Sequence, residues 1–195
     1  MSKTFVASDL HLGHENIIRY CSRPFKGAAE MDTHLIDTWN VRVGVDDTVY
    51  FLGDFAMGPR VDDGFVAERL QYLNGDIRVV LGNHDQPISK YGMSGLKQVV
   101  KDFGLEDKVE VLSDIHEEVI DGVLFVMCHY PINDWDDRMK GSVHLHGHKH
   151  NGYSASRARE QSRQRRFDVG VDMYGGPVEV TGDLRFLNDP KGWKP

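Results

Sequence analysis

No stretch of this sequence is long and apolar enough to cross a bilayer as a helix. The longest apolar run, Val123-Leu124-Phe125-Val126-Met127-Cys128, falls far short of the ~20 residues that such a helix requires. Cysteine is scarce. Cys21 and Cys128 are the only two, without Cys-x-x-Cys spacing, which argues against a disulfide framework and fits a reducing compartment. Positive charge is outweighed: 23 Lys and Arg face 30 Asp and Glu, for a net charge of -7. That balance argues against nucleic-acid binding over the whole surface and leaves room for a local basic patch. Met1-Ser2-Lys3-Thr4-Phe5-Val6 enters a strand-like run at once, with no signal-peptide apolar region, so a cytoplasmic protein with no membrane partner is expected. Internal repeats and low-complexity tracts are also lacking.

What is present is a globular composition, 40% hydrophobic and 27% charged over 195 residues. A chain of that size buries roughly 70% of its surface on folding and suits one domain, 1–195. Its first half alternates strands and helices. Thr4 to Ser8, Thr48 to Leu52 and Ile77 to Val80 are short, continuously apolar strands, which implies coverage on both faces and a largely parallel sheet. Between them, helices are expected at Glu15 to Arg23, at Ala29 to Val43 with a stripe of Met31, Leu35, Ile36 and Trp39, and at Val61 to Leu73. A further helix is predicted over Ser89 to Phe103, weakened by Gly92 and Gly95. Beyond Gly104 come Val109 to Leu112, Glu117 to Ile120 and Val123 to Cys128, with short turns that suggest a meander. Phe167 to Val171 and Pro177 to Val180 read as closing strands.

Polar residues crowd the strand ends. The Ile77 strand stops at Gly82-Asn83-His84-Asp85, the first strand runs into Asp9-Leu10-His11-Leu12-Gly13-His14, and the second ends at Gly53-Asp54. Later strands deliver His129-Tyr130-Pro131 and His146-Gly147-His148-Lys149-His150. Any one of these, taken alone, reads more readily as a polar turn with a surface histidine. In an extended segment residues two apart share a side, so Asp9 and His11 can reach one ion together, and His148 and His150 can face one cluster. His144 and His146 are read as structural or peripheral. Imidazole and carboxylate ligands without thiolates favour a first-row divalent ion over calcium. There are too many for one ion, and Asp54 is the natural bridge between two, because both its oxygens can accept. Arg157, Arg159, Arg163, Arg165 and Arg166 read as a solvated loop, or as donors to a substrate phosphate.

Asp9-x-His11, Gly53-Asp54, Gly82-Asn83-His84-Asp85, His129 and Gly147-His148-x-His150 stand in the order found in calcineurin-like metallophosphoesterases. The resemblance spans Asp9 to His150, about three quarters of the 195 residues. It implies an α/β fold, a four-layer α-β-β-α sandwich of two mixed central sheets flanked by helices. It also implies a first metal held by Asp9, His11, Asp54 and His150 and a second held by Asp54, Asn83, His129 and His148. Manganese is the expected ion, with iron, zinc or nickel as alternatives. His84 and Asp85 are the implied catalytic pair, the carboxylate orienting the imidazole. Asp9 to Asn16, with Arg23-Pro24-Phe25, is similar to a small single-domain branch of bacterial and phage phosphoesterases, so that His14, Asn16 and Arg23 are candidates to line the substrate pocket. Asn16 serves equally well as a helix-start residue. Phe167 to Asp172 departs from the Asn-x-Gly-Ser type of turn common in relatives.

What the resemblance implies is hydrolysis of a phosphate ester, more readily a diester of nucleotide type than a monoester, by hydroxide from a dinuclear centre with His84 assisting. A phosphomonoesterase, a nuclease and a non-catalytic metal-binding scaffold are the alternatives.

Overall fold

The computed structural model describes residues 2–88, 92–150 and 163–181. Its first sheet contains β1 (Thr4–Ala7), β2 (Thr48–Phe51), β3 (Asp76–Val79), β4 (Val109–Val111) and β9 (Val178–Glu179), in the order β4-β3-β2-β1-β9. Its four leading strands are parallel and β9 is antiparallel. The second sheet has the order β5-β6-β7-β8, from β5 (Ile115–Ile120), β6 (Val123–Cys128), β7 (Val143–His146) and β8 (Arg166–Asp168). Here only β5 is antiparallel to its neighbour. Both sheets are therefore mixed, as expected.

Strand alternation explains how they pack. In β1, Val6 joins Tyr50, Leu52 and Val80 against Phe125, Met127, Val143 and Leu145 of the second sheet. Phe5 and Ala7 point the other way, with Val49, Phe51, Ile77 and Val79, into a core made with the helices. Each apolar strand thus feeds two cores, which is why it reads as a continuous hydrophobic run. Helices α1 (Glu15–Tyr20), α2 (Ala28–Arg42), α3 (Asp63–Tyr72) and α4 (Leu96–Asp102) follow the expected rhythm. Met31, Leu35 and Trp39 of α2 are buried, and Asp62 caps α3 by accepting from the Phe65 amide at 2.8 Å. None of the described helices is long and apolar enough to cross a membrane.

Two expectations change. The helix predicted over Ser89 to Phe103 begins only at Leu96, because Gly92 and Gly95 adopt φ of 71° and 95°, outside the helical region. Ser89 itself lies outside the described residues. The suggested meander is a single hairpin, β5-β6. β4 joins the first sheet beside β3, and β6, β7 and β8 are parallel, in keeping with the complete burial of β7 and β8.

Asp32 of α2 is 7% exposed, and both its oxygens accept from the Gly13 amide, at 2.9 and 3.1 Å. Burial raises its carboxyl from the ordinary 3.8 to about 6. A carboxyl raised on folding favours the protonated form, so the stability it confers is full below pH 4 and is lost as pH rises to 6. Asp32→Asn keeps an acceptor for Gly13 and carries no charge. It is expected to stabilise the protein at pH 8 by at most about 3 kcal/mol, with the gain gone near pH 4, read from urea midpoints at the two values.

Candidate metal centre

The carboxyl ends of β1, β2, β3 and β6 and the turn after β7 meet along one edge of the sandwich. Backbone bonds continue the pairing of β1 with β2 past the strands: Asp9 N donates to Gly53 O at 2.9 Å and His11 N to Asp54 O at 3.0 Å. Within the second sheet, the Gly147 amide donates to His129 O at 3.0 Å, and across the sheets the His148 amide donates to both Asp9 carboxylate oxygens at 3.1 and 3.0 Å. Seven expected residues, Asp9, His11, Asp54, Asn83, His129, His148 and His150, are brought together by these links.

Five of them hold a conformation that L-residues rarely adopt: φ is 62° at Asp9, 52° at His11, 61° at Asp54, 68° at His148 and 47° at His150. Left-handed geometry at a non-glycine residue costs of order 1–3 kcal/mol and concentrates at functional sites. Glycines make the close approach of these turns attainable. A Cβ on Gly147 would run into Ser8 Oγ and the Asp9 carboxylate, and one on Gly53 would run into the Gly82 backbone.

Ligand atoms form overlapping groups: Asp9 with His11 and His150, His11 with Asp54 and His84, and Asp54 with His129 and His148. Asp54 Oδ2 lies 3.4 Å from His11 Nε2 and 3.5 Å from His129 Nε2, facing both halves of the cluster. Its Oδ1 accepts from the His84 amide at 2.8 Å.

The donor set fits a cation. His129 Nδ1 sits 2.7 Å from the Leu52 carbonyl and donates to it, so Nε2 turns a lone pair toward Asp54 Oδ2 and, at 3.1 Å, Asn83 Oδ1. Three acceptors thus converge, an arrangement that suits a bound cation. His11 is 1% exposed, with no hydrogen-bond partner on either ring nitrogen among the described residues. Burial, then the charge on His150, holds its imidazole well below the ordinary range, so it stays a neutral donor of a lone pair. Burial pushes the Asp9 carboxyl well up, against the opposing charge of His150.

No protein-family model matches the chain. An uncharacterized protein of Methanocaldococcus jannaschii is 31% identical over 98% of this chain and 94% of its own. The chain belongs to that archaeal protein's family. The gene 66 protein of Mycobacterium phage D29 is 28% identical over 97% of this chain and 98% of its own. Among solved structures, a protein of unknown function from Aquifex aeolicus superposes with a TM-score of 0.66 at 22% identity, covering 92% of this chain and 96% of its own. That likeness shows the fold.

In this family member the other expected residues part company. His14, Asn16 and His84 line an open cleft of about 720 Å³ together with His11, His148 and His150. The His84 ring stands 5.3 Å from His11 and 6.4 Å from His14. Asn16 is not a cap; its carboxamide accepts from Arg19 at 2.8 Å, and His14 precedes α1. Lys149, which the sequence did not single out, also lines the cleft.

Arg23 corrects its expected place in the substrate pocket. It is 3% exposed, and its guanidinium donates to both Asp172 oxygens at 2.8 Å, to Asp9 O at 2.8 Å and to Leu10 O at 2.9 Å. These bonds, with one to Met31 Sδ at 3.3 Å, leave the fork facing inward. Asp85 likewise does not stand behind His84. Its oxygens accept from the amides of Asp54, Phe55 and Gly82 at 2.8, 2.9 and 2.8 Å, fastening two strand ends together. His144 and His146 are fully buried, and burial lowers their imidazoles to about 4 and about 3, which suits the structural part expected of them. Of the arginine-rich segment, Arg157 and Arg159 lie outside the described residues. Arg165 donates to Ser142 O, and Arg166 to Ile132 O and Asn133, so these two brace the second sheet.

The sequence reading missed Asp172. Its Oδ2 lies 2.8 Å from His150 Nδ1, while His150 Nε2 faces Asp9 at 3.7 Å. Burial opposes charge on His150, but bonding to Asp172 and Cys21 outweighs it and raises the ring to about 10.

Proposed function

We propose that this protein is a dinuclear-metal-dependent phosphoesterase, acting on a phosphodiester of nucleotide type. The observation that supports it most is the placement of Asp54 Oδ2 between His11 and His129, 3.4 and 3.5 Å away. Asp9, His11, Asp54 and His150 would hold one ion and Asp54, Asn83, His129 and His148 the other, with manganese favoured over iron, zinc or nickel. Such a pair, when bound, supplies hydroxide near neutral pH and neutralises phosphate oxygens.

The chain's own groups do the rest. His84 is fixed through its amide on Asp54 Oδ1, and its ring, which makes no hydrogen bond to the described residues, lines the cleft. A proton held on that imidazole stabilises charge on the phosphoryl group or passes to the leaving oxygen. His14 and Asn16 sit beside it where the remainder of an ester would lie, and Lys149 adds positive charge at the mouth. The preference for a diester over a monoester rests on the family resemblance.

Nitrophenolate release from bis-p-nitrophenyl phosphate, measured with Mn2+ beside the monoester, tests the reading. Cleavage of the diester in preference is expected, preference for the monoester would make the protein a phosphatase, and no turnover of either by metal-loaded protein would remove the enzymatic reading of these model substrates. His84→Ala is expected to keep its metal and lose about 10²–10⁴-fold in rate. A metal-free His84→Ala protein would overturn that division of labour.

A further inference from the structure

We infer that Arg23 and Asp172 form a clamp that prepares one half of the centre, the Asp9, His11 and His150 half, and leaves the other half alone. This inference rests on the dinuclear reading above.

The two side chains are among the most deeply buried charges in the described residues, 0% and 2% exposed, and meet through two bonds of 2.8 Å. A buried pair of this kind repays its desolvation only when the remaining donors and acceptors are satisfied as well. Here they are satisfied by the site. The guanidinium donates further to the carbonyls of Asp9 and Leu10 and to Met31 Sδ, and the first of these pins the strained backbone that aims the Asp9 carboxylate. Asp172 spends Oδ2 on His150 Nδ1 at 2.8 Å, which fixes the ring and directs Nε2 at Asp9. A histidine held in this way presents its other nitrogen in one tautomer and one orientation.

The clamp also joins distant parts of the chain. Arg23 follows α1, Asp172 lies in the short helix α5 (Val171–Tyr174), and His150 belongs to the turn after β7. Val171 N donates to Ser8 O at 3.0 Å, so α5 is docked on the end of β1 at the same place. By contrast, in the half made of Asn83, His129 and His148, the His129 ring is oriented by Leu52 O and meets Asn83 in the turn after β3, while His148 is held through its backbone amide on the Asp9 carboxylate.

Cys21, His150 and Asp172 also fall within reach of one another. With His150 Nδ1 engaged by the Asp172 carboxylate, that trio works as the support of His150 and not as a third ion site. Arginine is needed because a planar fork serves a carboxylate and two carbonyls at once, which an ammonium group does not.

The test is the Mn2+ stoichiometry and affinity of Asp172→Asn, by calorimetry and elemental analysis, on full-length protein beside wild type. Wild type is expected to bind two ions. Asp172→Asn is expected to retain one with unchanged affinity and to bind the other about 10–100-fold more weakly, the usual cost of removing a ligand's orienting partner. Its electron paramagnetic spectrum should then be that of an isolated Mn2+ in place of a coupled pair, a change that general loosening of the fold does not produce. Arg23→Lys is expected to shift the same ion in the same direction, and carries the test if the asparagine variant does not fold. Two ions bound by both variants as in wild type would overturn the clamp while leaving the dinuclear reading intact. Equal weakening of both ions would also overturn it, and fewer than two ions in wild type would overturn the dinuclear reading and the clamp with it.

Discussion

Asp54→Ala is expected to lower metal content to less than one ion per chain and to reduce Mn2+-dependent diester cleavage by more than about 10³-fold, equivalent to about 4 kcal/mol of barrier. The reason is positional. Asp54 Oδ2 is the acceptor that faces His11 at 3.4 Å and His129 at 3.5 Å, so its loss weakens both halves at once. Its Oδ1 receives the His84 amide at 2.8 Å, so the same truncation frees the turn that carries the candidate acid. Alanine is also a poor occupant of φ 61°, a conformation that costs it roughly 1–2 kcal/mol. Asp54→Asn separates these effects, because asparagine tolerates the left-handed region and can still accept from His84. The asparagine variant should keep wild-type stability within about 1 kcal/mol, yet bind metal weakly for want of the negative charge. An alanine variant with two tightly bound ions and activity within tenfold of wild type would sink the bridging role.

Much of this site was legible because chemistry collects at strand ends. The runs ending in Asp9, Asp54, Asn83 and His129 are strands, and their carboxyl ends do share one edge. The parity argument reached the right pair for Asp9 with His11 by the wrong geometry, while His148 and His150 join one cluster but face its two different halves. All four have positive φ, so extended alternation does not apply to them. What turns each pair inward is bonding to a neighbouring strand: His11 N to Asp54 O, and His148 N to the Asp9 carboxylate. Asp85 misled for a related reason. Adjacent residues in a tight turn point apart, and three backbone amides claim its oxygens before the His84 ring can. Arg23 with Asp172 was out of reach, since a contact across 149 positions leaves no local spacing. The departure at Phe167 to Asp172 marked the place without showing the partner.

Gly82→Ala should be among the most damaging of the single-methyl additions that need no unusual backbone angle. A Cβ there would stand 2.6 Å from Asp54 N and 2.9 Å from His129 Cε1, and would run into Asp54 Oδ1. None of these neighbours is the free end of a flexible chain. Asp54 N is tied to Asp85 at 2.8 Å, and the His129 ring is tied to Leu52 O at 2.7 Å. The methyl therefore has to push the turn after β3 away from the end of β2, and Asp85, which bonds the Gly82 amide itself, resists that movement. Overpacking a rigid site costs about 1–3 kcal/mol and sometimes more, and the upper end is expected here. Because the displaced atoms are those that face the second ion, affinity for that ion should fall together with stability. Gly104→Ala is the control: φ is 63° and no atom lies within 4 Å of the added carbon, so it should cost only the roughly 1–2 kcal/mol of a left-handed alanine and leave metal binding unchanged. Urea midpoints and Mn2+ titrations of the two variants decide the matter, and a Gly82→Ala protein that matched wild type in both would mean that the two strand ends are not pressed together as described.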